Sequence, residues 1–294
     1  MKKLMILDGN SVVNRAFYGV RPLNAPDGTP TNAVYGFLAI LQKLFEGEAP
    51  DSLCVAFDLP APTFRHEMYE GYKAQRKPMP EELAVQMPLL KETLDAMHIR
   101  RLEAAGWEAD DVLGAVSAIC EKSGWACEIV TGDKDSFQLI TETTSVLHVK
   151  SRMGQTETIL YDRARFEEEY GFAPPLMVDL KALMGDASDN IPGVPGIGEK
   201  TALDLVRRYG RVADIYAGLD SLDIKDRLGE LYDRETGLIS TDIPMDRGQS
   251  LRIELVLMCG EKHYDIKSWY VYASDEYEID NSMPVWGGAA PSQE

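Results

Sequence analysis

Short apolar runs that stop at an acidic residue alternate along this chain with stretches whose apolar side chains recur every three or four positions. Lys3-Leu4-Met5-Ile6-Leu7 is such a run; it ends at Asp8-Gly9-Asn10, a turn signal, and predicts a buried strand. Val34, Phe37, Leu38, Leu41, Leu44 and Phe45 keep helical spacing and predict an amphipathic helix over 33–45. Leu53–Phe57 is a second strand, closed by Asp58, and Cys127–Thr131 a third, followed by Gly132-Asp133-Lys134-Asp135 and a short helix. Between them lie helices from Glu82 to about Met97 and from Ala109 to about Lys122, and Ser145–Lys150 predicts a fourth strand. Strands alternating with helices predict an α/β fold with a mainly parallel central sheet flanked by helices.

From Leu176 the pattern turns helical: a helix to Met184, a Gly/Pro-rich loop, and a helix from Glu199 to about Arg208. Residues 251–273 alternate as strands do, and 283–294 read as a loose tail. The expected organisation is an α/β core over 1–175, a helical subdomain over 176–228 built around the Gly/Pro-rich loop, and a separate C-terminal segment over 229–294. A chain of 294 residues allows one large domain or two modest ones at roughly 100–200 residues each.

A 45% apolar fraction excludes wholesale disorder, and no apolar run is long enough to span a bilayer or serve as a signal sequence. Cys54, Cys120, Cys127 and Cys259 form no CxxC pair, the pattern of a reduced cytoplasmic protein. The net charge of −18 argues at first against a nucleic-acid partner, because phosphate binders are usually basic.

The position of the acids changes that picture. Asp8, Asp58 and Asp133 close three predicted strands, and the C-terminal ends of parallel strands share one edge, where ligands bind. Glu108-Ala109-Asp110-Asp111 opens a helix, and Asp133-x-Asp135 and Asp186-x-x-Asp189 add close pairs. Each piece alone has a plainer reading, as a turn or as a partner of a helix dipole. Like charges brought together cannot all stay ionised without compensating cations, and oxygen ligands without Cys or His suit Mg²⁺ or Mn²⁺. Two such ions about 4 Å apart make phosphodiester hydrolysis the natural reaction, with no side-chain nucleophile. No GxSxG or reactive-cysteine pattern appears, and none of the four histidines has an evident acid–base partner.

Residues 64–78 gather Arg65, Lys73, Arg76 and Lys77 with Phe64, Tyr69 and Tyr72, a local positive surplus suited to a single-stranded backbone. Gly193–Ala202 joins two predicted helices; its glycines, with Gly196 and Gly198 central, let backbone approach a phosphate, and Lys200 and Thr201 stand on the next helix start. That is a helix-hairpin-helix signature, which grips the DNA backbone without reading sequence.

These strings together resemble the 5′-nuclease (5′→3′ exonuclease) domain found at the N-terminus of bacterial DNA polymerase I, within the flap-endonuclease family. Leu7–Ser11 with Arg15-Ala16-Phe17, Phe57-Asp58, Thr63–His66, Tyr72-Lys73-Ala74-x-Arg76, Trp107–Asp111, Thr131–Asp135, Gly185–Gly193 and Gly196–Ala202 appear in family order across about 3–225. The resemblance implies a PIN-like fold with a helical arch over about 60–82, and a two-Mg²⁺ site for which Mn²⁺ can substitute. Glu108, Asp110, Asp111 and Asp133 would surround one ion, with Asp8 and Asp58 near, and Asp135, Asp186 and Asp189 the other. Lys73 and Arg76 would meet the scissile phosphates as catalytic groups. Arg15, Arg65 and Tyr72 would contact DNA, and Gly196, Gly198, Lys200 and Thr201 would hold duplex, with a K⁺ ion at the hairpin carbonyls. The implied substrates are DNA with single-strand/duplex junctions and RNA-primed 5′ ends, met in replication and repair; no membrane is involved, and no polymerase or proofreading region follows. From Leu228 the family pattern is lost, with an apparent shortening around Asp242–Met245.

A PIN-like ribonuclease shares the acid cluster but not the arch and hairpin together. A DNA-junction binding protein without activity is the non-catalytic alternative. Half of the −18 charge lies in the nine motif carboxylates, so it does not exclude DNA.

Overall fold

The computed structural model describes residues 1–152 and 155–217, with backbone alone over 151–156, and the strands Tyr232–Asp233, Leu238–Ile239, Ser250–Cys259 and Lys262–Tyr272. The chain divides into two units, Met1–Ile215 and Tyr216–Glu294. In the first, strands β1 (Lys3–Asp8), β2 (Ser52–Ala56), β3 (Arg100–Leu102), β4 (Ala126–Thr131), β5 (Thr144–Arg152) and β6 (Gln155–Tyr161) form one sheet in the order β3-β2-β1-β4-β5-β6. All pairs are parallel except β5 with β6. The helices are α1 (Gly9–Gly19), α2 (Asn32–Glu48), α3 (Phe64–Met68), α4 (Glu81–Ala84), α5 (Gln86–Ala96), α6 (Ala109–Lys122), α7 (Arg163–Tyr170), α8 (Met177–Met184), α9 (Glu199–Tyr209) and α10 (Val212–Ala217).

β1 runs at the centre because it is apolar on both faces; Met5, Ile6 and Leu7 are fully buried. The chain builds outward from β1 through β2 to β3, then returns to lay β4 on the other side of β1. That reversal leaves a crevice at the C-terminal ends of β1 and β4, where open α/β sheets bind ligands. Below it, Met5 and Leu7 pack with Phe37 and Leu41 of α2 and Leu90 and Leu94 of α5.

The predicted strands and most helices are present, and the departures have local causes. Asp8-Gly9-Asn10 does not turn the chain away: the Asp8 carboxylate accepts the Ser11 N–H at 2.9 Å and caps α1 directly. Gly9 is required there because a Cβ would stand 2.4 Å from the Phe57 ring. The helix expected over 82–97 is two helices. Pro88 has no N–H to offer the Ala84 carbonyl, so the chain resets at Val85. Of the arch expected over about 60–82, α3 and α4 are helical, and residues 70–75 between them are turns, with Lys73 at φ +54°. β3 carries Arg100 and Arg101, and a short charged strand on a sheet edge discourages edge-to-edge pairing.

Among the described residues no helix is long and apolar enough to cross a membrane, and Cys54, Cys120 and Cys127 are free thiols in the interior. In the second unit, Ser250–Cys259 pairs antiparallel with Lys262–Tyr272, in line with the alternation over 251–273. The expected tail over 283–294 and the shortening around Asp242–Met245 lie outside the described residues.

Thr31, at the start of α2, makes no side-chain cap, and Gln86 supplies one from a distance. Its Oε1 accepts the Ala33 N–H at 2.8 Å and the Val34 N–H at 3.3 Å, while Nε2 donates to Asn32 Oδ1 and the Glu82 carbonyl. Gln86 is wholly buried, so no water can take over. Gln86→Ala is expected to cost about 2–3 kcal/mol, the penalty of leaving buried donors unpaired, read as a lowered midpoint in urea unfolding. An unchanged midpoint would show that α2 is capped in another way.

Candidate active site

The crevice beside β1 and β4 collects acids from four chain segments. Asp8 is 6% exposed; its second carboxylate oxygen accepts the Thr131 hydroxyl at 2.8 Å. Asp58, just past β2, accepts the Ala109 N–H at 2.7 Å at the start of α6 and so joins that helix to the sheet edge. Glu108 and Asp111 close the start of α6 reciprocally as a capping box. Asp133 follows β4 with its N–H on Thr131 Oγ1, and its carboxylate accepts the Asp135 N–H at 3.0 Å.

Their charges act on one another. Burial raises Asp8 to about 6, reinforced by Asp58 and Asp133. Asp110 is exposed at the mouth of the crevice; protein crowding around its carboxyl, then Asp8, Asp133 and Asp58, raise it to about 8 against a pull from Lys73.

The other acids are held by cations of the chain. Arg65 forms a bidentate pair with Asp111, 2.7 Å on each arm, which raises the guanidinium and, against burial, keeps Asp111 below the usual carboxylate range. Lys73 Nζ lies 2.6 Å from Glu108, and Tyr72 donates its hydroxyl to Glu108 at 2.7 Å and to Asp189 at 3.1 Å. Arg76 meets Asp189 at 2.6 Å. Lys181 on α8 bridges Asp135 and Asp186, both at 2.7 Å. Against burial, Lys181 and Ser188 hold Asp186 down to about 2.

Backbone and side-chain hydrogen bonds seat residues 71–76 on the loop 186–190. The Lys73 N–H donates to the Asp189 carbonyl at 3.0 Å, Asn190 Nδ2 to the Gly71 carbonyl at 2.7 Å, and Gln75 to Asn190 Oδ1 at 2.9 Å. A cavity of about 550 Å³ opens on one flank, lined by Asp8, Asp58, Asp110, Asp133, Lys73 and Arg76. A second, of about 850 Å³, opens beside Asp135, Asp186 and Asp189.

All nine expected carboxylates therefore stand along one crevice and its margin. Among the described residues no three of them converge closely enough to hold a metal ion as they stand. The side chains of Arg65, Lys73, Arg76 and Lys181 lie between them instead. The donor set still fits a hard divalent cation: every group is a carboxylate, and those in no ion pair among the described residues are Asp8, Asp58, Asp110 and Asp133.

The expected DNA contacts divide in two. Arg76 is exposed, and so are Gly196, Gly198, Lys200 and Thr201, where the hairpin between α8 and α9 turns through Gly196 at φ +83°. Tyr72 is 5% exposed and spends its hydroxyl on acids. Arg15 is half-buried and donates to the Gly132 carbonyl at 2.7 Å; a Cβ on Gly132 would come within 1.7 Å of Arg15 Nε. Lys181 escaped the sequence reading, and Thr131, Gln75 and Asn190 lay within its motif strings with no role assigned. Lys181 sits in an amphipathic helix with no motif around it; only its spacing of five residues before Asp186 hints at a role.

Residues 3–171 match the family model of the 5′–3′ exonuclease N-terminal resolvase-like domain, and 172–241 that of the 5′–3′ exonuclease C-terminal SAM fold, past the Leu228 limit of the motif reading. The chain is 42% identical over 253 residues to DNA polymerase I of Bacillus subtilis, covering 83% of this chain and 28% of that protein. It is 38% identical over 252 residues to the thermostable DNA polymerase I of Thermus thermophilus, covering 83% and 29%. The chain thus spans less than a third of the length of these relatives. Among solved structures, bacteriophage T5 5′-exonuclease with bound divalent zinc ions superposes with a TM-score of 0.61 at 25% identity, over 76% of this chain and 82% of that one. A T5 flap endonuclease in complex with DNA and metal ions shares the fold, with a TM-score of 0.60 at 24% identity over 76% and 81%.

Asp8 and Asp110 titrate above their ordinary value of 3.8, so the stability they lend is present below about pH 4 and is lost as pH rises through about 6 and then 8. The metal-free protein is expected to melt at progressively lower temperature from pH 5 to pH 9. Asp110→Asn should flatten the upper part of that decline, and a flat wild-type profile would show that these acids do not confront one another.

Proposed function

The chain belongs to the 5′–3′ exonuclease family, and from that premise we propose that it is an Mg²⁺-dependent, structure-specific 5′ nuclease. Its substrates in this reading are DNA 5′ flaps, nicks and RNA-primed 5′ ends, and its setting is cytoplasmic replication and repair. The observation that carries it is the meeting of Asp8, Asp58, Asp110 and Asp133 at the β1/β4 crevice, in no ion pair among the described residues, with Lys73 and Arg76 lining the same cavity. A site of uncompensated carboxylates facing cationic side chains is built for cations on one side and phosphate on the other.

Glu108, Asp110, Asp111 and Asp133 would surround one divalent ion, with Asp8 and Asp58 near, and Asp135, Asp186 and Asp189 a second, with Mn²⁺ able to replace Mg²⁺. Bound there, the pair supplies an activated water and a clamp on the scissile phosphate. The chain's own contribution is positioning. Lys73, whose ammonium rests on Glu108, and Arg76, which rests on Asp189, have phosphate oxygens as alternative partners of the same charge and geometry. Arg65 orients Asp111, and Arg15 props the Gly132 carbonyl so that Asp133 faces the crevice. The exposed hairpin at Gly196 and Gly198, with Lys200 and Thr201 on the first turn of α9, suits the backbone of the adjoining duplex, and a K⁺ ion at its carbonyls belongs to the same reading.

The test offers 5′-flap DNA, linear single-stranded DNA and RNA, each with Mg²⁺ or EDTA. Mg²⁺-dependent flap cleavage is expected; its absence sinks the reading, and preference for unstructured RNA would favour a PIN-like ribonuclease. Asp133→Asn should abolish cleavage while flap binding largely survives, and full turnover would refute the metal role. Lys73→Ala should lower kcat much more than it weakens binding, by roughly a hundredfold or more if its charge acts in the transition state. Equal losses would reduce Lys73 to a tether.

A further inference from the structure

The peptide that leads into Asp133 is held from both flanks of β4. The Gly132 N–H donates to Ser11 Oγ at 2.9 Å, and the Asp133 N–H to Thr131 Oγ1 at 3.0 Å. The Gly132 carbonyl meets two side chains: Arg15 of α1 donates to it at 2.7 Å, and His148 Nε2 stands 3.0 Å from it. His148 lies on β5 opposite Thr131, so α1 reaches this carbonyl from the β1 side and His148 from the other. The nuclease reading gives Arg15 a role here and leaves His148 without one.

A carbonyl oxygen can only accept, so the imidazole carries its proton on Nε2. Nδ1 is then a bare lone pair, and it has no hydrogen-bond partner among the described residues. Burial, with Lys150, Arg15 and Lys134 nearby, holds the ring below the usual histidine range against the pull of the Gly132 carbonyl, and so keeps it neutral. His148 is 4% exposed, and its ring packs edge-on against Phe137 with centroids 5.4 Å apart at 78°. Phe137 belongs to the short 3₁₀ helix Asp135–Leu139. One side chain therefore touches the chain just before Asp133 and just after Asp135.

Resting on the nuclease reading, we propose that His148 is a positioning residue for Asp133 and Asp135, acting through its hydrogen bond to the Gly132 carbonyl and its contact with Phe137. In that reading the two acids serve different ions, so the conformation of the segment that carries them sets how the two ligand groups face each other. Arg15 fills the place a Cβ would take on Gly132, which leaves the backbone carbonyl as the handle by which this peptide is fixed. A histidine that only filled the core would pack in the same way; this one spends its single N–H on the peptide next to an acid. Groups that orient metal ligands from behind change metal affinity or turnover roughly ten- to a hundredfold when they are removed.

The experiment compares wild type with His148→Phe, which keeps a ring and loses the donor, and His148→Gln, which restores an N–H at similar reach. In a Mn²⁺ titration followed by electron paramagnetic resonance, His148→Phe should bind one of two ions roughly tenfold more weakly, and His148→Gln should recover most of that loss. On 5′-flap DNA with Mg²⁺, kcat should fall by a similar factor in His148→Phe with KM little changed, and His148→Gln should again recover it. Wild-type Mn²⁺ affinity in His148→Phe overturns the proposal. Equal losses in the two variants also overturn it, because packing alone would then explain them. A readout that needs no variant to fold is ¹⁵N NMR of the metal-free wild-type ring at about pH 7, which should show the neutral tautomer protonated at Nε2. The tautomer protonated at Nδ1 overturns the proposal. Because the Mn²⁺ and NMR readouts need no turnover, a wild type that gives both expected results but never cleaves would refute the nuclease reading and leave the positioning role in place.

Discussion

Carboxylates forced together at one sheet edge repel one another, and the rest of this structure is arranged around that repulsion. The order β3-β2-β1-β4 brings Asp8, Asp58 and Asp133 to a common crevice, because each ends or follows a parallel strand and the strands end on the same side. α6 adds Glu108 at its N-cap and Asp110 and Asp111 in its first turn, which Asp58 draws up to the sheet. Burial at Asp8 and protein crowding around the Asp110 carboxyl then add to the repulsion, so both titrate above ordinary carboxylates. A fold that keeps such a cluster has placed its cost where a cation can relieve it.

The cations that relieve part of the cluster are themselves informative. Arg65, Lys73, Arg76 and Lys181 pair with Asp111, Glu108, Asp189, Asp135 and Asp186, whereas among the described residues Asp8 and Asp133 feel only the more distant charge of Arg15, and Asp110 that of Lys73. Lys73 and Arg76 ride on a turn held to loop 186–190 through Gln75 and Asn190, so their ion pairs and that docking are mechanically coupled. Exchanging a carboxylate for a phosphate at Lys73 or Arg76 conserves charge pairing and frees carboxylate oxygens. In the proposed nuclease that exchange would link substrate arrival to the acids through the chain's own side chains.

Much of this was legible in the sequence for a physical reason: strand-terminal aspartates, first-turn acids and a glycine-rich helix connection are local patterns, and parallel topology makes their meeting obligatory. The strands through Thr131 and the helices α2, α6, α8 and α9 follow the same logic. What escaped was carried by distant partners. Gln86 caps α2 from 53 residues away along the chain, and nothing near it distinguishes it from a surface glutamine. Asp8-Gly9-Asn10 reads as a turn, yet the same aspartate that ends β1 starts α1. Tyr72 sits in an aromatic, basic stretch typical of an exposed nucleic-acid contact, but the acids draw its hydroxyl inward. Lys181 pairs with Asp135 across elements that only the fold brings together.

The most direct test of the central claim is to count bound ions. Titrating the metal-free protein with Mn²⁺ near pH 8, with free ion followed by electron paramagnetic resonance, should show saturable binding of two ions per chain, weakened by Asp110→Asn and by Asp133→Asn. Saturable binding absent in the wild type, or equal in all three proteins, would contradict the claim that these carboxylates are gathered to hold cations.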